Sequence, residues 1–272
     1  MLLPRLLTSI IGIPLVLLSI YWGNIPFFIL MCGVVFLALW EYFVLVRTKY
    51  SSQPFIGIIM GLCLFLFVFL SGTSFGPASL NQSTAAFLSL FLIPVFAVEM
   101  LKKKREHSIE TMAVTFFGMF FIPWMLGHLL LLRSLKPNGM LYVFFLFIVI
   151  WILDTGAYAV GVRLGKNKLA TTVSPKKTVE GTFGGIITGT LSAGLFGYLF
   201  LKNDFSLIES LLLGFFISLV SQFSDLAESL IKRDAGVKDS ADLLPGHGGM
   251  LDRFDSFLFT APLLYYYLTI FK

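Results

Sequence analysis

Nine runs of 15 to 22 mostly apolar residues take up most of the 272-residue sequence. A helix needs about 20 such residues to cross a hydrocarbon core of ~30 Å. Inside lipid there is no water to satisfy backbone N–H and C=O groups, so each run must close its own hydrogen bonds as a helix. The runs are Leu6–Trp22, Pro26–Val46, Phe55–Ser71, Ala85–Leu101, Met112–Leu132, Leu141–Val162, Phe183–Leu201, Ile208–Leu226 and Phe257–Phe271. The third, fourth and last are short and leave little room for tilt. The expected fold is an all-α polytopic integral membrane protein with about nine transmembrane helices.

Composition supports lipid as the main solvent. Hydrophobic residues make up 57% of the chain and charged residues 13%, against roughly half and about a quarter in a soluble domain. So few charges could not cover that much apolar surface in water, and a disordered chain would show the opposite bias. The only two cysteines, Cys32 and Cys63, lie inside apolar runs and read as small packing residues, which excludes a disulfide scaffold. No small-residue cleavage site precedes the second run, so the first is expected to stay as a span.

The cations test the parse independently. With the N-terminus inside, sixteen of the 20 Lys and Arg residues fall on the cytoplasmic side. They are Arg5; Arg47 and Lys49; Lys102, Lys103, Lys104 and Arg105; Arg163, Lys166, Lys168, Lys176 and Lys177; and Lys232, Arg233, Lys238 and Arg253. Only Arg133, Lys136, Lys202 and Lys272 fall outside. This bias predicts a cytoplasmic N-terminus and an outside C-terminus. It also explains the net charge of +5 without nucleic acid as a partner.

No internal repeat is visible, so an inverted-repeat transporter has no support. Texture divides the chain into residues 1–140, about five bland apolar spans, and residues 141–272, a region in which charges, glycines and histidine gather on the cytoplasmic side. The second region is expected to be catalytic.

Its richest segment is Gln222–Asp255. Asp225, Glu228 and Lys232 follow i, i+3, i+7 spacing, which puts them on one face of a helix. Paired with each other they would make an ordinary interfacial helix; facing a ligand, the two acids suit a hard cation such as Mg²⁺. Lys238 and Asp239 come next, then Pro245-Gly246-His247-Gly248-Gly249, a glycine-rich loop that is either a simple turn or a backbone cradle for phosphate. It runs directly into Asp252, Arg253 and Asp255 before the last span. Unpaired burial of these charges would be costly, so partners or a water-filled cavity are expected. Acids from two helices could converge on one or two metal ions, as phosphoryl chemistry often requires. The preceding inner loop, Ser174-Pro175-Lys176-Lys177-Thr178-Val179-Glu180-Gly181, cannot be helical through Pro175, and its lysines offer cations to phosphates. Asp154 lies within an apolar span and is a functional candidate by position. Glu41 and Glu99, near the inner ends of spans, are expected to pair with neighbouring cations. His107 and His128 are isolated, and the Lys102–Arg105 run fits anionic headgroups.

The run from Ser229 through Lys232-Arg233, Lys238-Asp239, Pro245-Gly246-His247-Gly248-Gly249, Asp252-Arg253 and Asp255 resembles the signature of the CDP-diacylglycerol synthases (phosphatidate cytidylyltransferases). The Ser174–Gly181 loop and the Asp154 span resemble the same family, whereas the N-terminal half matches in character alone. The resemblance implies transfer of CMP from CTP to phosphatidic acid, with release of pyrophosphate. It further implies Mg²⁺, often beside a monovalent cation such as K⁺, and a homodimer in the lipid bilayer. Carried onto matching positions, Asp225 and Asp255 become the expected metal ligands, with Asp252 next and Asp154 as a further candidate. Lys232, Arg233, Lys238, Asp239, His247, Asp252 and Arg253 are expected in the catalytic machinery. Ser174, Lys176, Lys177, Thr178, Glu180, Gly246, Gly248 and Gly249 are expected to bind substrate phosphate. The expected setting is a plasma membrane, the inner membrane in a bacterium, with the active site facing cytosolic CTP. Two rivals stay open: a CTP-dependent lipid or polyprenol kinase, and a transporter.

Overall fold

A computed structural model describes residues 3–74, 80–102, 107–237 and 248–272, with side chains from 10–72, 86–102, 107–237 and 248–272. All nine apolar runs fall on helices. Among the described residues, six helices are long and apolar enough to cross a membrane: α2 (Asn24–Val46), α3 (Pro54–Ser74), α6 (Ser108–Ser134), α7 (Gly139–Leu164), α8 (Val179–Phe200) and α9 (Leu207–Asp234). The first run lies on α1 (Leu3–Trp22), whose apolar part is the shorter Ile10–Trp22. The fourth is broken into α4 (Leu80–Phe91) and α5 (Ile93–Leu101). Pro94 sits at the first turn of α5, where it lacks the N–H that would continue α4. The last run lies on α10 (Leu251–Phe271), whose first turns carry Asp252, Arg253 and Asp255.

The chain divides into two compact units, Met1–Ser134 with Asp234–Arg253, and Leu135–Arg233 with Phe254–Lys272. In the first, Leu64, Val68, Phe91, Val95 and Met119 form a buried cluster. Small residues let its helices approach closely, as is usual where lipid offers no hydrophobic drive between helices. A Cβ on Gly118 would stand 2.2 Å from the Tyr42 ring, and the Tyr42 hydroxyl donates to the Val114 carbonyl at 2.8 Å. Glu99 meets the expected cation, Lys102, at 2.7 Å, and also accepts from Gln53 Nε2 at 2.7 Å.

The second unit is built on α7 against α8. A Cβ on Gly181 would lie 2.9 Å from the Ala157 carbonyl oxygen and one on Gly185 3.1 Å from that of Leu153, so glycine sets this helix spacing. Helix α8 meets α9 in the same manner, Gly189 against Ser218 and Gly197 against Ser210. Large side chains such as Phe183, Leu191 and Leu195 on α8 and Phe223 on α9 are exposed, which suits a lipid surround.

One element departs from the all-α expectation. The loop after α7 forms a two-stranded antiparallel hairpin, β1 (Lys168–Ala170) and β2 (Ser174–Thr178), with Lys168 opposite Thr178 and Ala170 opposite Ser174. Pro175 forbids a helix but is tolerated in a strand that has an open edge. Thr178 ends the hairpin and caps α8, its Oγ1 accepting the Gly181 N–H at 3.2 Å. Helix α8 thus begins a turn earlier than the apolar run, and α9 continues beyond Leu226 to Asp234.

Candidate functional site

In the second unit, α7, the hairpin, α8 and α9 enclose a cleft of about 480 Å³. Asp154, Tyr158 and Gly161 face it from α7, Lys176, Lys177 and Thr178 from β2, Gly181 and Thr182 from α8, and Gln222 and Asp225 from α9. The hairpin aims Lys177 at an acid: Lys177 Nζ lies 2.6 Å from Asp225 Oδ2. One turn further along α9, Lys232 Nζ lies 2.5 Å from Glu228 Oε2. The helical face predicted for Asp225, Glu228 and Lys232 is therefore real.

Asp255 completes the group from α10. Ser224 Oγ donates to its backbone carbonyl and accepts the Phe259 N–H at 3.4 Å, which fastens α10 to α9. The carboxylates of Asp225, Glu228 and Asp154 are near enough to bear on the half-buried Asp255 carboxylate. Four like charges gathered in this way require positive charge among them. Lys177 and Lys232 supply part of it. The carboxylate oxygens suit a hard divalent cation in both charge and element. Among the described residues no three acids, histidines or cysteines are drawn together around a single metal position, and the lysines hold the nearest carboxylate oxygens.

The remaining expected residues fall elsewhere. Ser174 pairs with Ala170 in the hairpin. Glu180, expected among the phosphate binders, is engaged otherwise, since its carboxylate accepts the backbone N–H of Lys166 at 3.0 Å and Asn167 Nδ2 at 2.7 Å. These bonds tie the start of α8 to the segment before the hairpin. Arg233 supports the hairpin itself, Nε donating to the Val173 carbonyl at 3.0 Å. Gly248, Gly249, Asp252 and Arg253 belong to the first unit. There Gly249 N–H donates to Asp252 Oδ2 at 2.9 Å, and Gly248 takes a φ of +78°, a conformation that favours glycine. Lys238, Asp239, Gly246 and His247 lie outside the described residues.

Two residues exceed the sequence expectation. Glu228 joins the acid group although only its spacing singles it out. Glu41, fully buried in α2, accepts the backbone N–H groups of Met250 and Leu251, a partnership that no local pattern signals.

Comparison with known proteins agrees with the signature. A model of the cytidylyltransferase family matches residues 3–271. A phosphatidate cytidylyltransferase of Bacillus subtilis is 38% identical over 273 residues, spanning 98% of this chain and 98% of that protein. One from Synechocystis is 34% identical over 292 residues, with 98% and 96% coverage. One from Staphylococcus saprophyticus is 34% identical over 264 residues, with 96% of each covered.

Proposed function

Because the chain belongs to the cytidylyltransferase family, we propose that this nucleotidyltransferase moves CMP from CTP to phosphatidic acid, giving CDP-diacylglycerol and pyrophosphate. Relatives of nearly equal length carry the name of that reaction. The observation that supports it best is the cleft lined together by Lys176, Lys177, Asp154 and Asp225, with Lys177 paired to Asp225. Two phosphate-bearing substrates need cations, and a metal between them needs carboxylates.

A phosphate oxygen of the lipid attacks the α-phosphorus of CTP, forming a new P–O bond as the bond to the β-phosphate oxygen breaks and pyrophosphate departs opposite. The step needs charge neutralisation and in-line placement more than covalent help from the protein. Lys176 and Lys177 offset phosphate charge, and Lys177 leaves Asp225 as phosphate enters. Lys232 and Arg233 hold Glu228 and the hairpin turn in place. Asp225, Asp255, Asp252 and Asp154 are assigned to Mg²⁺, with a monovalent cation such as K⁺ as a second ion, by their resemblance to the family's signature and not by a metal position in the structure. Bound there, the metal would supply electrophilic charge at the phosphates. Lys238, Asp239, His247 and Arg253 are assigned to the same machinery by their places in the signature.

The cation bias supports nine spans, an inside N-terminus, an outside C-terminus and a site facing the cytosol across a plasma membrane, or the inner membrane of a bacterium. A homodimer is part of the same proposal. The test uses purified protein in phosphatidic acid vesicles with CTP labelled at either the α- or the γ-phosphate. Label from the α position alone should enter lipid. Label entering a lipid alcohol from the γ position would establish the kinase instead.

A further inference from the structure

Glu41 is 0% exposed in an otherwise apolar stretch of α2. Its two carboxylate oxygens accept the N–H groups of Met250 at 2.6 Å and Leu251 at 2.8 Å. These are the leading N–H groups of α10, which have no carbonyl partner within their own helix. A negative charge placed there also opposes the positive end of the helix dipole. A buried carboxylate is costly unless such donors meet it, so the contact explains how an acid can sit there. It also spans 209 residues of sequence, whereas an ordinary cap is supplied from the neighbouring turn.

The end of α2 holds a second point. In the turn after it, Thr48 Oγ1 donates to the Ala235 carbonyl at 2.9 Å. Lys49 Nζ pairs with Asp234 Oδ1 at 2.9 Å, and the Tyr50 hydroxyl donates to Asp234 Oδ2 at 2.5 Å. Asp234 and Tyr50 raise the Lys49 ammonium above its ordinary value by hydrogen bonding to it. The two holds lie at the two ends of the stretch from Asp234 to Leu251, which includes most of the signature.

We infer that Glu41 is a positioning residue for the reaction: from α2 it fixes the first turn of α10, and so the direction of Asp252 and Arg253, with Thr48–Tyr50 as the anchor at the other end of the same stretch. The inference rests on the proposed function, since it concerns how that site is held. The N-terminal spans then do more than fill lipid.

The test compares wild type, Glu41→Gln and Glu41→Asp as full-length protein in lipid nanodiscs, by labelled-lipid formation and by amide exchange of peptides that cover Met250 and Leu251. Glutamine keeps the size but loses the charge and one acceptor. The expected result for Glu41→Gln is a kcat about tenfold or more lower, with KM for CTP and phosphatidic acid within about threefold, and exchange at those amides about tenfold faster. Glu41→Asp, which keeps the charge, should recover part of both and serves as the readout if the glutamine variant fails to fold. Asp234→Asn, at an exposed site, should speed exchange near Asp234 and Ala235 while leaving Met250 and Leu251 protected. Faster exchange with kcat unchanged would overturn the positioning role, and unchanged exchange would overturn the contact itself. A wild type that forms no labelled lipid would instead refute the proposed function, and exchange would still decide whether Glu41 holds α10.

Discussion

Replacing Asp225 with asparagine should separate stability from activity. In the folded protein Asp225 gains a contact with Lys177 at 2.6 Å, between side chains that are 31% and 20% exposed. An ion pair with that much solvent contributes about 1 kcal/mol or less. Against this, Asp225 adds like charge to the Asp255 carboxylate, a repulsion that offsets part of that gain. The two effects oppose each other, so the melting temperature in EDTA should move by no more than about 3 °C. Mg²⁺ changes the balance. At ten times its dissociation constant, a metal bound only to the folded state adds about 1.4 kcal/mol, or some 3–5 °C in a chain of this size. Wild type should show that rise and Asp225→Asn should not. Loss of a metal ligand and its charge at the reacting phosphates should lower kcat/KM about 10³-fold, roughly 4 kcal/mol of transition-state stabilisation. Thermal melts by intrinsic fluorescence, with and without Mg²⁺, and labelled-lipid formation measure all three quantities. An Asp225→Asn protein that keeps the Mg²⁺ shift and retains activity within tenfold of wild type would refute the reasoning.

Two further substitutions probe the cleft. Gly181→Ala would put a methyl 2.9 Å from the Ala157 carbonyl oxygen and 3.1 Å from Gly161 Cα; overpacking against backbone should cost about 1–3 kcal/mol, seen as a lower melting temperature. Lys177→Ala should lower kcat/KM about 10²-fold, and more than Glu180→Gln at a half-buried position, whose effect should be lost order in the hairpin measured as faster amide exchange at Lys166 and Asn167.

The helices are legible because lipid imposes one rule on every residue of a run, and among the described residues six of the nine apolar runs lie on helices long and apolar enough to cross a membrane. The break between Phe91 and Ile93 follows from Pro94, a local cause visible in the sequence. The hairpin is not legible: Pro175 excludes a helix, yet pairing Lys168 with Thr178 depends on how α7 delivers the chain to α8. On α9, helical spacing alone aligns Asp225, Glu228 and Lys232. Spacing cannot bring Asp154, some seventy residues earlier, to the same cleft, and its place within a span is the only clue. The partners of Glu180, the Lys166 N–H and Asn167 Nδ2, lie on the far side of the hairpin in sequence and are not legible from its place beside two lysines. Glu41 looks like any acid near a span end, since its partners lie at the far end of the sequence.

The decisive measurement is product stoichiometry. Purified protein in vesicles containing phosphatidic acid is given CTP and Mg²⁺, and pyrophosphate and CDP-diacylglycerol are counted together. One pyrophosphate per CDP-diacylglycerol, and none without phosphatidic acid, is the expected result. Release of CDP in place of pyrophosphate, with the lipid gaining phosphate and no cytidine, would contradict it.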